Sequence, residues 1–362
     1  MKAIILSGGE ATRLRPLTCN IPKVMVPVLN RPLLEHLLSY LKKHNVADIM
    51  LALGKKIPNQ IQSYFGDGSK FGVRMRYSTE RFPLGTAGAI KNAESFLDEP
   101  FIVFNGDIFT DIDLTAMLNL HQEKKALATI ALTPVDNPTV YGVVETDSEQ
   151  RVRCFTEKPA WDKVTTNMIN AGIYVLEPDI LNPIPPDTFS MFEHDIFPLL
   201  LKENQPIYSY PSQGYWIDIG TPEKYLRLNH DLLCRHASNK AASFEGKVSL
   251  HQSSQIEGPV VIDEGCTIDR NSVIKGPAAI GQECHIGEDA VIEGSLLWQG
   301  CTIGKRVKLK NCVLASNCYI AEENILEGCV LGENVKVGAG NKLSHGMRIW
   351  PDKFIEPRAV SL

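Results

Sequence analysis

The sequence has no Cys-x-x-Cys pair, no long basic run and no uncharged stretch of the roughly 18 residues that a membrane-crossing helix needs. Each absence removes a class of function. Duplex nucleic acids are held by clustered Lys and Arg, and a chain of net charge −5 with scattered cations carries no such footprint. No membrane partner is expected either. The nine cysteines are an odd set; without paired spacings they read as reduced thiols serving as compact hydrophobes, not as a metal centre or a disulfide framework. Met1-Lys2-Ala3-Ile4-Ile5-Leu6 runs straight into a strand with no apolar leader and cleavage site, so a cytoplasmic location is expected.

What is present divides into two patterns. The 362 residues exceed what one hydrophobic core usually organises, and 44% apolar with 22% charged residues is globular composition. Up to residue 233 strand-like and helix-like runs alternate. Lys2 to Leu6 reads as a strand, and Leu33, Leu34, Leu37, Leu38 and Leu41 form a helical stripe after Pro32. Asp48 to Leu53, Val73 to Tyr77, Phe101 to Phe104, Ala128 to Leu132, Gly142 to Glu145 and Ile169 to Leu176 read as further strands, with helices near 86–97 and 114–124. Asp113 reads as the cap of the latter. The alternation predicts an α/β, Rossmann-like mixed, mostly parallel sheet whose ligands bind beyond the carboxyl ends of its strands.

Residues 234–255 are polar and patternless and read as a linker. A period of six then begins: Ile256, Ile262, Ile268, Ile274, Ile280, Ile286 and Ile292, continuing with one-residue slips at Ile303, Leu309, Ile320, Leu331, Val337, Leu343, Ile349 and Ile355. One aliphatic per hexapeptide is the mark of a parallel β-helix, expected over 256–355 with a tail at 356–362 and about five or six coils.

The chemistry concentrates in residues 3 to 23. A buried-looking strand enters the small-residue turn Ser7-Gly8-Gly9, and the cations Arg13 and Lys23 follow. Bare backbone N–H groups at Gly8 and Gly9 together with the two cations describe a polyphosphate site. Glu80-Arg81-Phe82-Pro83-Leu84-Gly85-Thr86-Ala87-Gly88-Ala89 is a second small-residue turn opening a helix, suited to lie against a planar base. Phe101-Ile102-Val103-Phe104-Asn105-Gly106-Asp107 delivers a carboxylate to the sheet edge. Tyr141-Gly142-Val143-Val144, Glu157-Lys158-Pro159, Asn167 to Tyr174 and Tyr215-Trp216-Ile217-Asp218-Ile219-Gly220-Thr221 complete the set.

With these motifs in this order, the chain resembles the sugar-1-phosphate nucleotidyltransferases over nearly its whole length. Within them it is most similar to mannose-1-phosphate guanylyltransferases that carry a C-terminal left-handed hexapeptide β-helix. The resemblance implies the nucleotide-diphospho-sugar transferase fold and attack of a sugar 1-phosphate oxygen on the α-phosphorus of a nucleoside triphosphate, with pyrophosphate leaving. It implies that Gly8, Gly9, Arg13 and Lys23 hold the triphosphate, and that Leu6, Glu80, Pro83, Gly85, Thr86 and Gly106 line the nucleotide site. Lys158 would grip the sugar phosphate, Gly142, Glu157 and Asn170 the hexose, and Asp107 with Asp218 would bind Mg²⁺. Either Asp alone would pass for a cap or turn former; their pairing in family motifs favours the metal.

Glu80 stands where thymidylyl- and uridylyltransferase relatives commonly have Gln. A carboxylate accepts the adjacent N1–H and N2–H donors of guanine, so GTP is expected. Mannose rests on overall likeness; glucose 1-phosphate with a thymidylyl, uridylyl or adenylyl donor, and heptose 1-phosphate, stay open. The family's Gly-Gly-x-Gly-Thr-Arg is here Gly8-Gly9-Glu10-Ala11-Thr12-Arg13, so Ala11 is expected to be strained if its φ must be positive. Ala11 motivates a rival reading, a catalytically weak regulatory subunit that binds a nucleotide sugar. A second rival, acyl transfer by the β-helix, has His251, His285 and His345 as its candidates. Exposed coil faces lead us to expect a homo-oligomer.

Overall fold

The computed structural model describes residues 1–54, 58–236, 242–344 and 346–361. The chain folds as two compact units, Met1–Glu10 with Leu34–Asp218, and Ala11–Leu33 with Ile219–Leu362.

The first unit is built on a nine-stranded mixed sheet. Its strands are β1 (Lys2–Ser7), β2 (Asp48–Leu53), β3 (Arg74–Thr79), β4 (Phe101–Asn105), β6 (Ala128–Pro134), β7 (Gly142–Thr146), β8 (Val152–Glu157), β9 (Met168–Leu176) and β10 (Ile207–Pro211), with β5 (Ile108–Thr110) and β11 (Trp216–Asp218) forming a separate ribbon. The main path runs β8-β7-β9-β4-β1-β2-β3. β4, β1, β2 and β3 are parallel, whereas β9 runs antiparallel to both β4 and β6. Ala3, Ile4 and Ile5 and all of Phe101 to Phe104 are buried on both faces, which is why these strands read as continuous apolar runs. The chain goes from β1 to β2 on one side and comes back to β4 on the other, so a topological switch point lies between β1 and β4.

Helix α1 (Leu33–Lys43) buries Leu34, Leu37, Leu38 and Leu41, with Glu35 in its first turn and Lys42 and Lys43 in its last. Helices α2 (Pro58–Phe65), α3 (Gly85–Lys91), α4 (Leu114–Lys124) and α5 (Phe197–Lys202) complete the cover. Asp113 caps α4 as expected, its carboxylate accepting the Ala116 N–H at 3.0 Å. His121 is structural, sealed between Thr129 and Glu177.

In the second unit, helix α6 (Pro222–His236) precedes three parallel sheets of seven, seven and six short strands. Hexapeptide aliphatics of the middle coils point inward, Ile268, Ile274, Ile286, Ile292, Ile303 and Leu309 being at most 1% exposed, while Ile256, Ile349 and Ile355 near the ends are half-buried. The one-residue slips have a structural meaning. Ile268 pairs with Ile286 eighteen residues on, but Ile286 pairs with Ile303 seventeen residues on, so some coils are one residue shorter at a corner. Left-handed corners fall on Asn271, Asp289, Arg306 and Glu323 in stacked positions. Cys266, Cys284, Cys301 and Cys318 stack at another corner, each thiol donating to a main-chain carbonyl, and all nine cysteines are free.

The linker boundary needs correcting. Ala242–Phe244, Ser249–Leu250 and Gln255–Glu257 each begin one of the three sheets, so the coil starts well before residue 256. Its first turn escapes the pattern because no earlier coil covers it: Phe244 and Leu250 are 46% and 45% exposed. At the front of the linker α6 continues to His236, and residues 237–241 lie outside the described set. The tail is also tied down, through an Asn341 side chain that accepts the Val360 N–H and donates to the carbonyls of Gly338 and Glu356. Asn341→Ala leaves the buried Gly338 carbonyl unpaired, at about 1–3 kcal/mol, and frees the Val360 N–H. Amide exchange around Val360 is expected to accelerate; an unaltered exchange profile would refute the tie.

Candidate active site

The carboxyl ends of β1 and β4 finish side by side. Leu6 is in register with Asn105, and the Gly106 N–H donates to the Leu6 carbonyl at 2.8 Å. This bond fixes where the two following loops emerge. The glycines of the first loop do different jobs. A Cβ on Gly9 would meet nothing within 4 Å, leaving its backbone open to a ligand, whereas one on Gly8 would stand 3.1 Å from Glu80 Oε1. Gly54 is a glycine the sequence did not flag: a Cβ there would come within 2.7 Å of the Gly8 carbonyl.

Glu80 is 8% exposed, and its Oε2 accepts the Leu84 N–H at 3.1 Å. Burial pushes its pKa above the ordinary carboxylate value, and the Leu84 N–H opposes the shift in part. Pro83 is exposed at the tip of this turn. Gly85 has φ +74°, and a Cβ on it would lie 2.5 Å from the Ser190 carbonyl. Gly88 is equally tight against Thr188, and the N–H groups of Ala87 and Gly88 both donate to Ser190. These small residues therefore let α3 dock against residues 188–190, a packing role that the sequence reading, which gave them to the base, did not anticipate.

Thr86 leads to a residue the sequence missed. Its hydroxyl donates to Glu193 Oε2 at 2.9 Å and accepts the Phe192 N–H at 3.0 Å. The buried Tyr174 hydroxyl donates to Glu193 Oε1 at 3.2 Å and accepts from Asn170 Nδ2 at 2.7 Å, while Asn170 Oδ1 accepts the Gly172 N–H. Burial and the neighbouring Glu193 hold the Tyr174 phenol well above its usual pKa, so it remains a donor. A continuous chain thus links the expected nucleotide residue Thr86 to the expected hexose residue Asn170. Glu193 sits in a one-turn π-helix, Phe192–Ile196, whose i→i+5 spacing no sequence period announces.

The β5/β11 ribbon places the backbones of the two candidate metal residues close to one another. Asp218 is in register with Ile108, the residue directly after Asp107, and antiparallel partners stand about 5 Å apart at Cα. Asp218 is 8% exposed and accepts the Tyr141 hydroxyl at 2.7 Å. Trp216 aims the strand, its indole donating to the Ala171 carbonyl at 2.9 Å. Asn105, two residues before Asp107, has a buried Oδ1 with no hydrogen-bond partner. Carboxylate and amide oxygens are the donor types that a hard divalent cation takes, with water and phosphate oxygens completing its shell. Among the described residues there is no cluster of three or more His, Cys, Asp and Glu side chains that could hold a metal.

On the sugar side, Gly142 is in register with Glu157, and a Cβ on it would lie 2.8 Å from Glu157 Oε2 and from the Phe155 ring. The Lys158 N–H donates to the Tyr141 carbonyl at 3.0 Å, its φ is +46°, and its ammonium stands 3.4 Å from Glu157. All of these groups belong to the first unit. Arg13 and Lys23 belong to the second, on two short 3₁₀ turns, Thr12–Leu14 and Lys23–Met25; Arg13 is exposed and Lys23 half-buried. Of the acyl-transfer histidines, His251 bonds to Ser253 and His285 pairs with Asp269, while His345 lies outside the described residues.

Ala11 adopts φ 48°, ψ 39°, the left-handed conformation its family's glycine accepts freely. The Thr18 hydroxyl, donating to the Ala11 carbonyl at 2.8 Å, holds it there. The conformation costs about 1 kcal/mol for alanine. Ala11→Gly is expected to leave the melting temperature unchanged or raise it, relieved strain offsetting the glycine's greater unfolded-state entropy. A clear fall in melting temperature would show that the loop is not strained.

Residues 2–235 match the family model described as nucleotidyl transferase, and residues 241–343 match the one described as EIF2B subunit epsilon LbH domain. Mannose-1-phosphate guanylyltransferase of Mycobacterium tuberculosis is 36% identical over 271 residues, covering 74% of this chain and 75% of that protein. UTP–glucose-1-phosphate uridylyltransferase of Synechocystis is 36% identical over 286 residues, covering 72% of this chain and 74% of its own. Among solved structures, HddC from Yersinia pseudotuberculosis complexed with GMP-PN aligns with a TM-score of 0.55 at 31% identity, over 64% of this chain and 99% of HddC. The fold, the two matched segments and these relatives agree: the chain belongs to the nucleotidyl transferase family, as a sugar-1-phosphate nucleotidyltransferase with a C-terminal left-handed β-helix.

Proposed function

We propose that the chain transfers a guanylyl group from GTP to mannose 1-phosphate, with Mg²⁺ held by Asp107 and Asp218. The observation that carries the base assignment is the buried Glu80 carboxylate, anchored through Oε2 by Leu84 and adjacent to Gly8 through Oε1. An anchored carboxylate suits the paired donors of guanine, where uracil or thymine would present a carbonyl beside its single N–H. The M. tuberculosis relative is named a mannose-1-phosphate guanylyltransferase, and HddC was crystallised with GMP-PN; the Synechocystis relative makes UTP with glucose 1-phosphate the principal competitor.

A phosphate oxygen of the sugar 1-phosphate attacks the α-phosphorus; the new O–P bond forms as the bond to the β-phosphate oxygen breaks, and pyrophosphate departs. The nucleophile is already ionised, so positioning and charge neutralisation carry catalysis. The Gly9 backbone, Arg13 and Lys23 hold the triphosphate and its leaving group. Lys158 holds the sugar phosphate, and Glu157, Asn170 and the bare Gly142 backbone orient the hexose. Mg²⁺, when bound, supplies charge neutralisation on the phosphate oxygens. A second reading, a nucleotide-sugar-binding regulatory subunit, draws support from the strained Ala11.

Pyrophosphate release by the purified chain, assayed over four nucleoside triphosphates and several hexose 1-phosphates, tests both. GTP with mannose 1-phosphate should be the fastest pair; a faster UTP or dTTP pair would overturn the assignment, and no release with any pair would favour the regulatory reading. Asp107→Asn and Asp218→Asn should each lower kcat by about a hundredfold or more, and a near-normal rate in either would remove that residue from the metal site. Protonation of Glu80 removes an acceptor and adds a donor facing guanine. Because burial raises its pKa, the KM for GTP should climb on acidification at a higher pH than an ordinary carboxylate would give. Glu80→Gln should abolish that rise and weaken the preference for GTP over dTTP; an identical pH profile in the variant would exclude Glu80 as the base reader.

A further inference from the structure

The segment that carries Arg13 and Lys23 has little structure of its own, and within the second unit it is gripped by side chains of the β-helix. Arg348, on the strand Arg348–Ile349, donates through Nη1 to the carbonyl of Arg13 at 3.2 Å and lies 3.5 Å from that of Arg15. Its Nη2 donates to Glu223 Oε1 at 3.1 Å. One guanidinium thus spans the loop and the first turn of α6. Glu333, which follows the strand Val330–Leu331 paired with Arg348–Ile349, accepts Asn20 Nδ2 at 2.9 Å. Two further contacts hold the rest of the segment: Asn30 Nδ2 donates to the main-chain carbonyl of Ile280 in the β-helix, and Asn229 Oδ1 on α6 accepts the Leu29 N–H.

From these contacts we infer that the β-helix is part of the nucleotide machinery, and that Arg348 is a positioning residue fixing the backbone from which Arg13 reaches phosphate. The inference rests on the reading of Arg13 and Lys23 as triphosphate ligands. A loop with two short 3₁₀ turns would otherwise have to be ordered by the nucleotide at each binding event, at an entropic cost charged against affinity. Holding the carbonyls of Arg13 and Arg15 from one rigid coil removes that cost beforehand. A guanidinium suits the task because its planar fork reaches three acceptors at once, which a single ammonium does not.

The experiment compares Arg348→Ala, Arg348→Lys and a control, Arg306→Ala, whose exposed side chain pairs only with Glu323 among the contacts described. In the full chain, Arg348→Ala should accelerate amide exchange over residues 11–20 and lower kcat/KM for the nucleoside triphosphate by about tenfold. KM for the sugar 1-phosphate should change less than about twofold, because its ligands sit elsewhere in the sequence. Arg348→Lys should recover part of the loss, and Arg306→Ala should alter neither readout. Unchanged exchange in Arg348→Ala, or equal losses for both substrates, overturns the inference; so does a loosened loop with normal nucleotide kinetics. Calorimetric titration with GTP separates this outcome from failure of the functional reading. If the wild type binds GTP without turnover, the proposed catalysis falls, while Arg348→Ala must still weaken binding about tenfold for the positioning role to stand.

Discussion

The hydrogen bond from the Gly106 N–H to the Leu6 carbonyl is the constraint on which the site depends. It closes the register of β1 against β4 at their carboxyl ends, so the glycine turn and the Asn105-Gly106-Asp107 loop leave the sheet as neighbours. The ribbon of β5 and β11 then returns Asp218 to a position opposite the residue that follows Asp107. Both steps are set by main-chain pairing within the sheet and the ribbon. The sheet sets the geometry before substrate arrives, which is what a reaction governed by positioning and charge neutralisation requires.

Around that frame the polar groups are tied in series. Thr86, Glu193, Tyr174 and Asn170 form one hydrogen-bonded chain, and Tyr141 with Trp216 braces Asp218. Buried groups of this kind carry a large penalty if left unpaired, so each link restrains its neighbours' rotamers. The chain gives the turn at Thr86 and the strand at Asn170 a common support. A change at Glu193 would therefore be felt at both, although the residue belongs to neither motif.

Sequence made the architecture legible where one period dominated. The continuous apolar runs gave β2 to the residue, and the six-residue aliphatic repeat announced the β-helix because each coil buries one aliphatic per face. It failed where burial and period part company. The first coil lacks a preceding layer to cover Phe244 and Leu250, so its strands looked like a linker. Glu193 was invisible because a π-helical turn has no signature of its own, and the packing of Gly85 and Gly88 went unread because a tight approach to residues 188–190 leaves no mark in local sequence. The condition placed on Ala11, by contrast, was answered directly by its positive φ.

The β-helix and the segment 11–33 share a compact unit. The central claim, however, lies in the first unit: two aspartates far apart in sequence share one divalent ion. Anomalous diffraction from crystals grown with Mn²⁺ and a guanine nucleotide tests it most directly. The account predicts a single strong peak within coordination distance of both the Asp107 and Asp218 carboxylates. A peak bound by one of them alone, or density placing the two side chains on opposite sides of the ribbon with no ion between, would contradict it.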